Sequence, residues 1–273
     1  MIGRVAGTEP YMATENLPEV VPRDQWLAAR KELLAREKEL TRQRDEVNAA
    51  RRRLPMVRID KPYSFEGPDG TVSLLDLFAG RPQLVMHHFM WSNDVDSDGH
   101  EHPRDVGCPS CSSAADSIGN LRQLHVRNTT LVAVTRAPFA KIAAFRQRMG
   151  WQFPWYSSYG SDFNYDFHAT VDDRIAPVQV FYRTEAEMAE AGAPWDESMR
   201  GDWPGISAFL QVDGVVFHTY STFGRGIEEF HNGDPYLDLT ALGRQEPWEE
   251  PRGRAASLGL QVGGPGTRLP DEY

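Results

Sequence analysis

Cysteine is scarce in this chain: of 273 residues only Cys108 and Cys111 carry a thiol. A disulfide-stapled secreted scaffold needs more cysteines, spread more widely. A bridge between these two would close too short a loop to constrain the unfolded chain appreciably. Stapling is therefore excluded as their purpose. Long apolar runs are missing too. None approaches the roughly 18 residues that mark a membrane-spanning helix. The first residues, Met1-Ile2-Gly3-Arg4-Val5-Ala6, lack the apolar stretch of a secretory signal. These readings lead to the expectation of a cytoplasmic protein without a membrane partner. Positive charge is in deficit, with 29 Lys and Arg against 39 Asp and Glu and a formal net charge of -10. That excludes a broad electrostatic footprint for nucleic acid. No glycine-rich phosphate loop or nucleotide fingerprint occurs, since Gly224-Arg225-Gly226 has no third glycine. No organic cofactor is implied.

What the chain does have is apolar mass: 40% hydrophobic residues, with 13 Phe, 9 Tyr and 7 Trp, enough for a sizeable core. Residues 1–22 read as a loose leader. Residues 23–55 read as one amphipathic helix, capped by Asp24, with Trp26, Leu33, Leu40, Val47 and Leu54 seven apart and Leu27 and Leu34 beside the first two. Arg30, Glu37 and Arg44 stand where a coiled coil would need its second apolar position. The stripe is expected to pack on its own domain, and a homo-oligomer built through this helix is the second reading.

From residue 56 to 243 the pattern changes to alternating strands and helices. Residues 84–91 form a mostly apolar run of the buried-strand kind, and 92–107 read as an acidic, His-containing loop insertion. A helix is expected from Cys108 to about 126, a β-branched strand at 130–134, and a helix at 138–149 with Gly150 beyond its end. A short strand at 178–182 and a surface insertion at 184–204, with a helical turn near 185–191, follow. Residues 206–212 and 215–220, joined by Asp213-Gly214, make the clearest hairpin. A helix over 225–231 comes next, and 244–273 read as a mobile tail. Two parallel strands joined by a crossover helix, then an antiparallel hairpin, give an α/β fold. It is a thioredoxin-like mixed sheet flanked by helices, with Cys-x-x-Cys opening the first helix.

A thiol attacks only as thiolate, and a helix N-terminus supplies unsatisfied N–H groups and positive potential that favour the anion. Cys108 is thus the candidate nucleophile. Cys111, one turn on, is the candidate resolving thiol. Arg136, just after the second strand, stands at the C-terminal edge of the sheet, where open α/β folds keep their sites, and is the candidate to hold a thiolate or peroxide oxygen. Thr135 beside it is a weaker candidate. A competing reading makes His100, His102, Cys108 and Cys111 a zinc set, with Asp94, Asp96, Asp98 and Asp105 nearby. A third makes the cysteines small buried hydrophobes. His87 and His88 point to opposite faces of their strand, so at most one faces the cysteine helix. Residues 159–168, rich in Tyr, Phe and Asp, either line a pocket or pack on themselves.

The combination resembles the family called domain of unknown function 899, bacterial proteins related at fold level to peroxiredoxins and thioredoxins. The resemblance rests on Gln25-Trp26-Leu27-Ala28-Ala29-Arg30, His88-Phe89-Met90, Gly107-Cys108-Pro109-Ser110-Cys111-Ser112, Met149-Gly150-Trp151, Ser157-Ser158-Tyr159-Gly160-Ser161-Asp162, His218-Thr219-Tyr220-Ser221-Thr222 and Tyr236-Leu237-Asp238-Leu239-Thr240. It implies a thioredoxin-like fold. With the cysteine pair, the expectation is a thiol–disulfide oxidoreductase or thiol-peroxidase-like protein, acting on a thiol, disulfide or peroxide with a protein reductant. Thioredoxins set a cis-proline before the first hairpin strand, and here the candidate is Pro204.

Overall fold

The computed structural model describes residues 17–98, 100–231, 233–253 and 266–273. Most of the leader, and residues 254–265 of the expected tail, lie outside them. The chain divides into two compact units, Met1–Pro55 with Gly233–Thr267, and Met56–Asn232 with Arg268–Tyr273.

The first unit holds α1, Arg23–Arg51, a 29-residue helix. Its length follows from the absence of Pro and Gly, and its end from Pro55 shortly after. No residue of it is buried. Leu33, Leu40 and Val47 are all about half exposed, so the apolar stripe expected to pack on its own domain is open. A short helix at Gly233–Leu237 also belongs to this unit.

The second unit carries the sheet. It begins with β1, Val57–Arg58, and the hairpin β2, Ser64–Gly67, with β3, Gly70–Ser73. Strand β4, Gln83–His88, is followed by β5, Trp91–Val95, and β6, Glu101–Gly107. Then come α2, Pro109–Asp116, α3, Arg122–His125, β7, Thr129–Thr135, α4, Phe139–Met149, and β8, Trp155–Ser157. Next are α5, Phe163–Asp166, β9, Thr170–Val171, β10, Gln179–Val180, β11, Arg183–Thr184, and α6, Glu185–Glu190. Strand β12, Gly201–Asp202, leads to β13, Gly205–Val212, and β14, Val215–Phe223.

The main sheet runs β1-β14-β13-β4-β7-β8-β2-β3. β4, β7 and β8 are parallel, and β13 is antiparallel to both β4 and β14. This is the thioredoxin-like order, extended by a third parallel strand and the β2–β3 hairpin. Alternation along β4 and β7 sorts two cores. Leu84, Met86, Val132 and Val134 pack with Phe65, Phe163 and Phe209 on one face. Phe89, Ala133, Phe145, Trp151 and Trp155 pack with Cys111 on the other.

Several expectations need correction. Residues 92–107 are a paired hairpin rather than a loop, with Trp91 opposite Gly107 and Asp94 opposite His102. Asp96 shapes its turn by accepting the N–H groups of Asp98 and His100, both at 2.9 Å. The helix expected to reach residue 126 stops at Asp116, and Asn120 Oδ1 restarts the chain by accepting the Arg122 N–H at 2.9 Å. The strand expected over 178–182 is only two residues long, because Phe181 and Tyr182 turn through positive φ of 50° and 67°. The helix expected over 225–231 is a 3-10 helix, Gly224–Phe230. The 184–204 insertion does carry α6, with Thr184 and Glu187 in a capping box. It is more than surface, however: Met188 is buried with Val171, Val178 and Val180. The tail is not loose throughout. Leu269 is 4% exposed within the cysteine-side core, and Arg148 grips Asp271 at 2.7 and 3.0 Å. Pro204 follows a trans bond, since the cis bond among the described residues is Glu250–Pro251.

Candidate functional site

Cys108 is the N-cap residue of α2, with an extended backbone (φ -65°, ψ 128°) and Pro109 at the first helical position. Its N–H donates to the Met90 carbonyl at 3.2 Å. Its own carbonyl accepts from the Ser112 N–H and hydroxyl, both at 2.9 Å. The sulfur is thereby held at the mouth of the helix. Gly107 is required just before it, because a Cβ there would lie 2.8 Å from the Phe145 ring.

The two thiols are unbridged, Cys108 partly exposed and Cys111 buried. The Cys111 S–H donates toward the Cys108 sulfur, and with the N–H groups of Cys111 and Ser110 and the Ser110 hydroxyl it lowers the Cys108 pKa from 9.0 to about 6, against the opposing effect of burial. The same contact raises Cys111 well above the usual thiol range, with burial, the Cys108 charge and Asp202 acting in the same direction. One thiol is poised as the anion and its neighbour holds the proton. That difference arises chiefly from the contact between the two sulfurs, which their one-turn spacing on the helix allows, and from the burial of Cys111.

Arg136 directly follows the C-terminal end of β7, as expected, and is tied down. Its Nη1 donates to Asp202 Oδ1 at 2.9 Å, and its guanidinium lies 5.1 Å from the Tyr165 ring centre. Asp202 also accepts from Thr170 Oγ1 at 2.6 Å through the β9–β12 pairing, while its buried Oδ2 has no hydrogen-bond partner. Asp202 lies inside the segment read as a surface insertion and was not anticipated. Its position just before the first hairpin strand, where thioredoxins set a cis-proline, was the available clue.

His87 sits opposite Ala133 in the β4–β7 register, so it shares the cysteine face. It is buried, its Nδ1 has no partner, and burial followed by the His231 charge lowers its pKa to about 4. Thr135 lies on the same face, fully buried, with Oγ1 likewise unpartnered. His88 faces the other core. There a chain of 2.7 Å contacts links His88 Nε2, Ser207 Oγ, Ser221 Oγ and His218 Nε2. Burial, helped by the neighbouring histidines, takes the His88 pKa down to about 3.

The zinc set is not assembled. His102 Nε2 contacts Asp96 at 2.8 Å, and His100 Nδ1 lies 3.5 Å from the same carboxylate. Among the described residues the metal-capable cluster is Asp96, Asp98 and His100, all exposed and without either cysteine. The reason is the hairpin. His102 is five residues out from Gly107 along β6, about 17 Å at strand rise. Asp94 and Asp105 pair instead with Arg104 and Lys141.

On the outer side of Arg136 lies a cavity of about 440 Å³, whose lining includes Arg136, Tyr159, Tyr165, Arg174, Arg200 and His100. Tyr159 and Tyr165 line it, while Phe163 and Phe167 from the same stretch are packed into the core, so residues 159–168 do both things expected of them.

Fold and site together define a thioredoxin-like protein with a Cys-Pro-Ser-Cys segment at the start of its crossover helix. A family model described as bacterial protein of unknown function (DUF899) matches residues 15–262, and the chain belongs to that family. No curated protein matches it. Among solved structures it is similar to Xanthomonas campestris peroxiredoxin Q, at 14% identity over 60% of this chain and 80% of that one, with a TM-score of 0.34. A Xylella fastidiosa PrxQ mutant is 13% identical over 64% and 87%, with a TM-score of 0.36. Peroxidoxin BcpB from Mycobacterium tuberculosis is 11% identical over 61% and 84%, also at 0.36. Among the described residues no helix is long and apolar enough to cross a membrane.

Proposed function

We propose that the protein is a thiol-dependent oxidoreductase of the thiol-peroxidase or thiol–disulfide type, with Cys108 as nucleophile and Cys111 as resolving thiol. The observation that carries this reading is the split of the pair: a Cys108 sulfur surrounded by donors at the α2 N-cap, beside a buried Cys111 that keeps its proton.

With a peroxide, the Cys108 thiolate attacks one oxygen and the O–O bond breaks. The leaving alkoxide or hydroxide takes a proton, and Cys108 becomes a sulfenic acid. Cys111 then attacks that sulfur, losing its proton as water leaves, and a Cys108–Cys111 disulfide forms. With a disulfide substrate the same thiolate expels one thiolate, and Cys111 expels the second. In either case Cys111 must shed a proton in a buried setting. We assign that proton to Asp202, whose charge acts on Cys111 and whose buried Oδ2 has no hydrogen-bond partner. Arg136 holds Asp202 in place through their ion pair.

The test is peroxide consumption, and separately disulfide reduction, with dithiothreitol as reductant. Wild type, Cys108→Ser and Cys111→Ser are compared. Cys108→Ser abolishes turnover, and Cys111→Ser, treated with one equivalent of substrate before any dithiothreitol is added, accumulates Cys108 as sulfenic acid or mixed disulfide where wild type forms the Cys108–Cys111 disulfide. Equal activity in the two variants overturns the division of roles. Inactivity of the wild type with both substrate classes overturns the function.

A further inference from the structure

Helix α1 runs for 29 residues, and none of them is buried. Most helical stability in proteins comes from packing one apolar face, so a helix of this length with an open face lacks its support. The face itself is regular. Trp26, Leu33, Leu40 and Val47 recur at intervals of seven, with Leu27 and Leu34 alongside and Leu54 just past the helix end. All seven are between 40% and 59% exposed. From Trp26 to Val47 the open stripe extends about 32 Å at helical rise, which makes it an interaction surface rather than scattered surface residues.

The period of the stripe says what kind of surface covers it. On a straight helix a strict seven-residue repeat drifts by about 20° per heptad, hence about 60° over the three heptads from Trp26 to Val47. A second helix that supercoils with α1 follows that drift, whereas a flat domain face does not. Among the described residues the next longest helix is α4, with 11 residues, too short to match. The matching helix therefore comes from another chain. The charges that interrupt the stripe identify it. In a parallel, in-register pair Arg30, Glu37 and Arg44 would each meet its own copy, like charge against like. Reversing the partner about a twofold axis near Leu40 brings Glu37 within reach of the partner's Arg44, and the symmetry repeats the pair. The same reversal lays Leu33 and Leu34 beside the partner's Val47, and Trp26 beside the partner's Leu54. Arg30 and Arg51, which fall toward the ends, are engaged on their own helix by Glu37 and by Asn48 Oδ1, both at 2.8 Å.

We infer that α1 pairs with α1 of a second copy of this chain, as an antiparallel two-helix coiled coil whose seam is the Trp26–Leu33–Leu40–Val47 stripe. One apolar position per heptad supplies the burial, and the charged position beside it fixes the orientation, since only the reversed arrangement sets opposite charges together. The inference stands independently of the thiol chemistry proposed above.

The test is sedimentation equilibrium of the full chain under dithiothreitol, across the micromolar range. Wild type should be a dimer, and a Leu33→Glu, Leu40→Glu double variant should dissociate at least a hundredfold more readily. Neither leucine is buried, so the sheet-bearing unit should stay folded, read as unchanged iodoacetamide labelling of Cys108. Orientation is read separately, with the stripe unmutated, by electron–electron distance measurement on a spin label. The label is placed through Ala28→Cys on the exposed side of α1, in a Cys108→Ser, Cys111→Ser background that leaves it the sole thiol. An antiparallel pair sets the two labels more than about 30 Å apart along the axis, whereas a parallel pair sets them under about 20 Å apart, given helix axes about 8–10 Å apart. A wild type that is monomeric throughout overturns the inference and leaves the stripe to another segment of this chain or to a different protein. A dimer indifferent to the two glutamates, or a short label distance, overturns it as well.

Discussion

Replacing Cys111 by Ala or by Ser separates the two sources of Cys108 acidity. The drop from 9.0 to about 6 is worth about 4 kcal/mol of preference for the thiolate, at 1.36 kcal/mol per tenfold change in proton affinity. Its largest cause is the Cys111 side-chain hydrogen bond, and backbone and Ser110 donors supply the rest against burial. Alanine removes that donor and keeps the backbone N–H; serine keeps a hydroxyl donor in the same place. In either variant Cys108 is the sole thiol, so thiolate absorbance or iodoacetamide labelling reports it alone. Cys111→Ala should raise the titration midpoint well above 6, and Cys111→Ser should leave it near 6. A rate at one pH would mislead. Each tenfold rise in proton affinity also raises intrinsic thiolate reactivity about threefold, for a Brønsted slope of about 0.4–0.5. Below the midpoint labelling therefore slows about threefold per tenfold rise, and at high pH the plateau climbs by about the same factor. A Cys111→Ala midpoint that stays near 6 refutes the role given to the S–H donor. A midpoint that moves equally in the two variants does the same.

Acid should destabilise the fold in a window set by its buried histidines. His87 and His88 have folded pKa values of about 4 and 3 against 6.5, so the unfolded chain binds more protons between these limits. The stabilisation is fully present above pH 6.5 and is lost as pH falls toward 4, by linkage about 4 kcal/mol between pH 7 and pH 5 for the two together. Urea midpoints identical at those two pH values would contradict it. Gly107→Ala should cost about 1–3 kcal/mol by overpacking against the Phe89 and Phe145 rings, read as a lowered Tm, and an unchanged Tm would show that the rings yield freely. Leu269→Ala should cost about 2–4 kcal/mol as a cavity in the core that also holds Cys111. A loss under 1 kcal/mol in urea unfolding would mean the C-terminal residues are not integral to it.

Elements with local chemical punctuation were legible in the sequence. The β13–β14 turn is one, where Asp213 and Gly214 take φ of 51° and 78° as an Asp-Gly turn demands. Helix α4 is another, entered through Pro138 and left through Gly150 at φ 73°. Segments stabilised from a distance were not. Phe181 and Tyr182 occupy positive φ, which bulky residues rarely do. They are held there by contacts far along the chain: Phe181 lies 5.1 Å from the Trp203 ring, and the Tyr182 hydroxyl donates to the Ser221 carbonyl at 2.8 Å. The β5–β6 hairpin is illegible in the sequence for a related reason. Its outer end is charged and exposed, so no apolar alternation advertises the pairing.

The candidate site divides along the same line. Everything about Cys108 and Cys111 that depends on one turn of helix is local: the N-cap position, Pro109, the N–H donors and the three-residue spacing all follow from contiguous residues. What surrounds the pair is not local. Arg136 meets Asp202 across 66 positions of sequence, and Thr170 meets it across 32. That meeting requires β9 and β12 to pair, and their pairing in turn lies next to the small core of Val171, Val178, Val180 and Met188. A segment whose composition suggests mere surface thus delivers Asp202, whose charge acts on Cys111. It also brings Arg200 to the cavity that Arg136 shares. The cysteine pair could be read from a motif. The Arg136–Asp202 pair and the cavity beside it depend on how the insertion folds back, and no run of neighbouring residues encodes that.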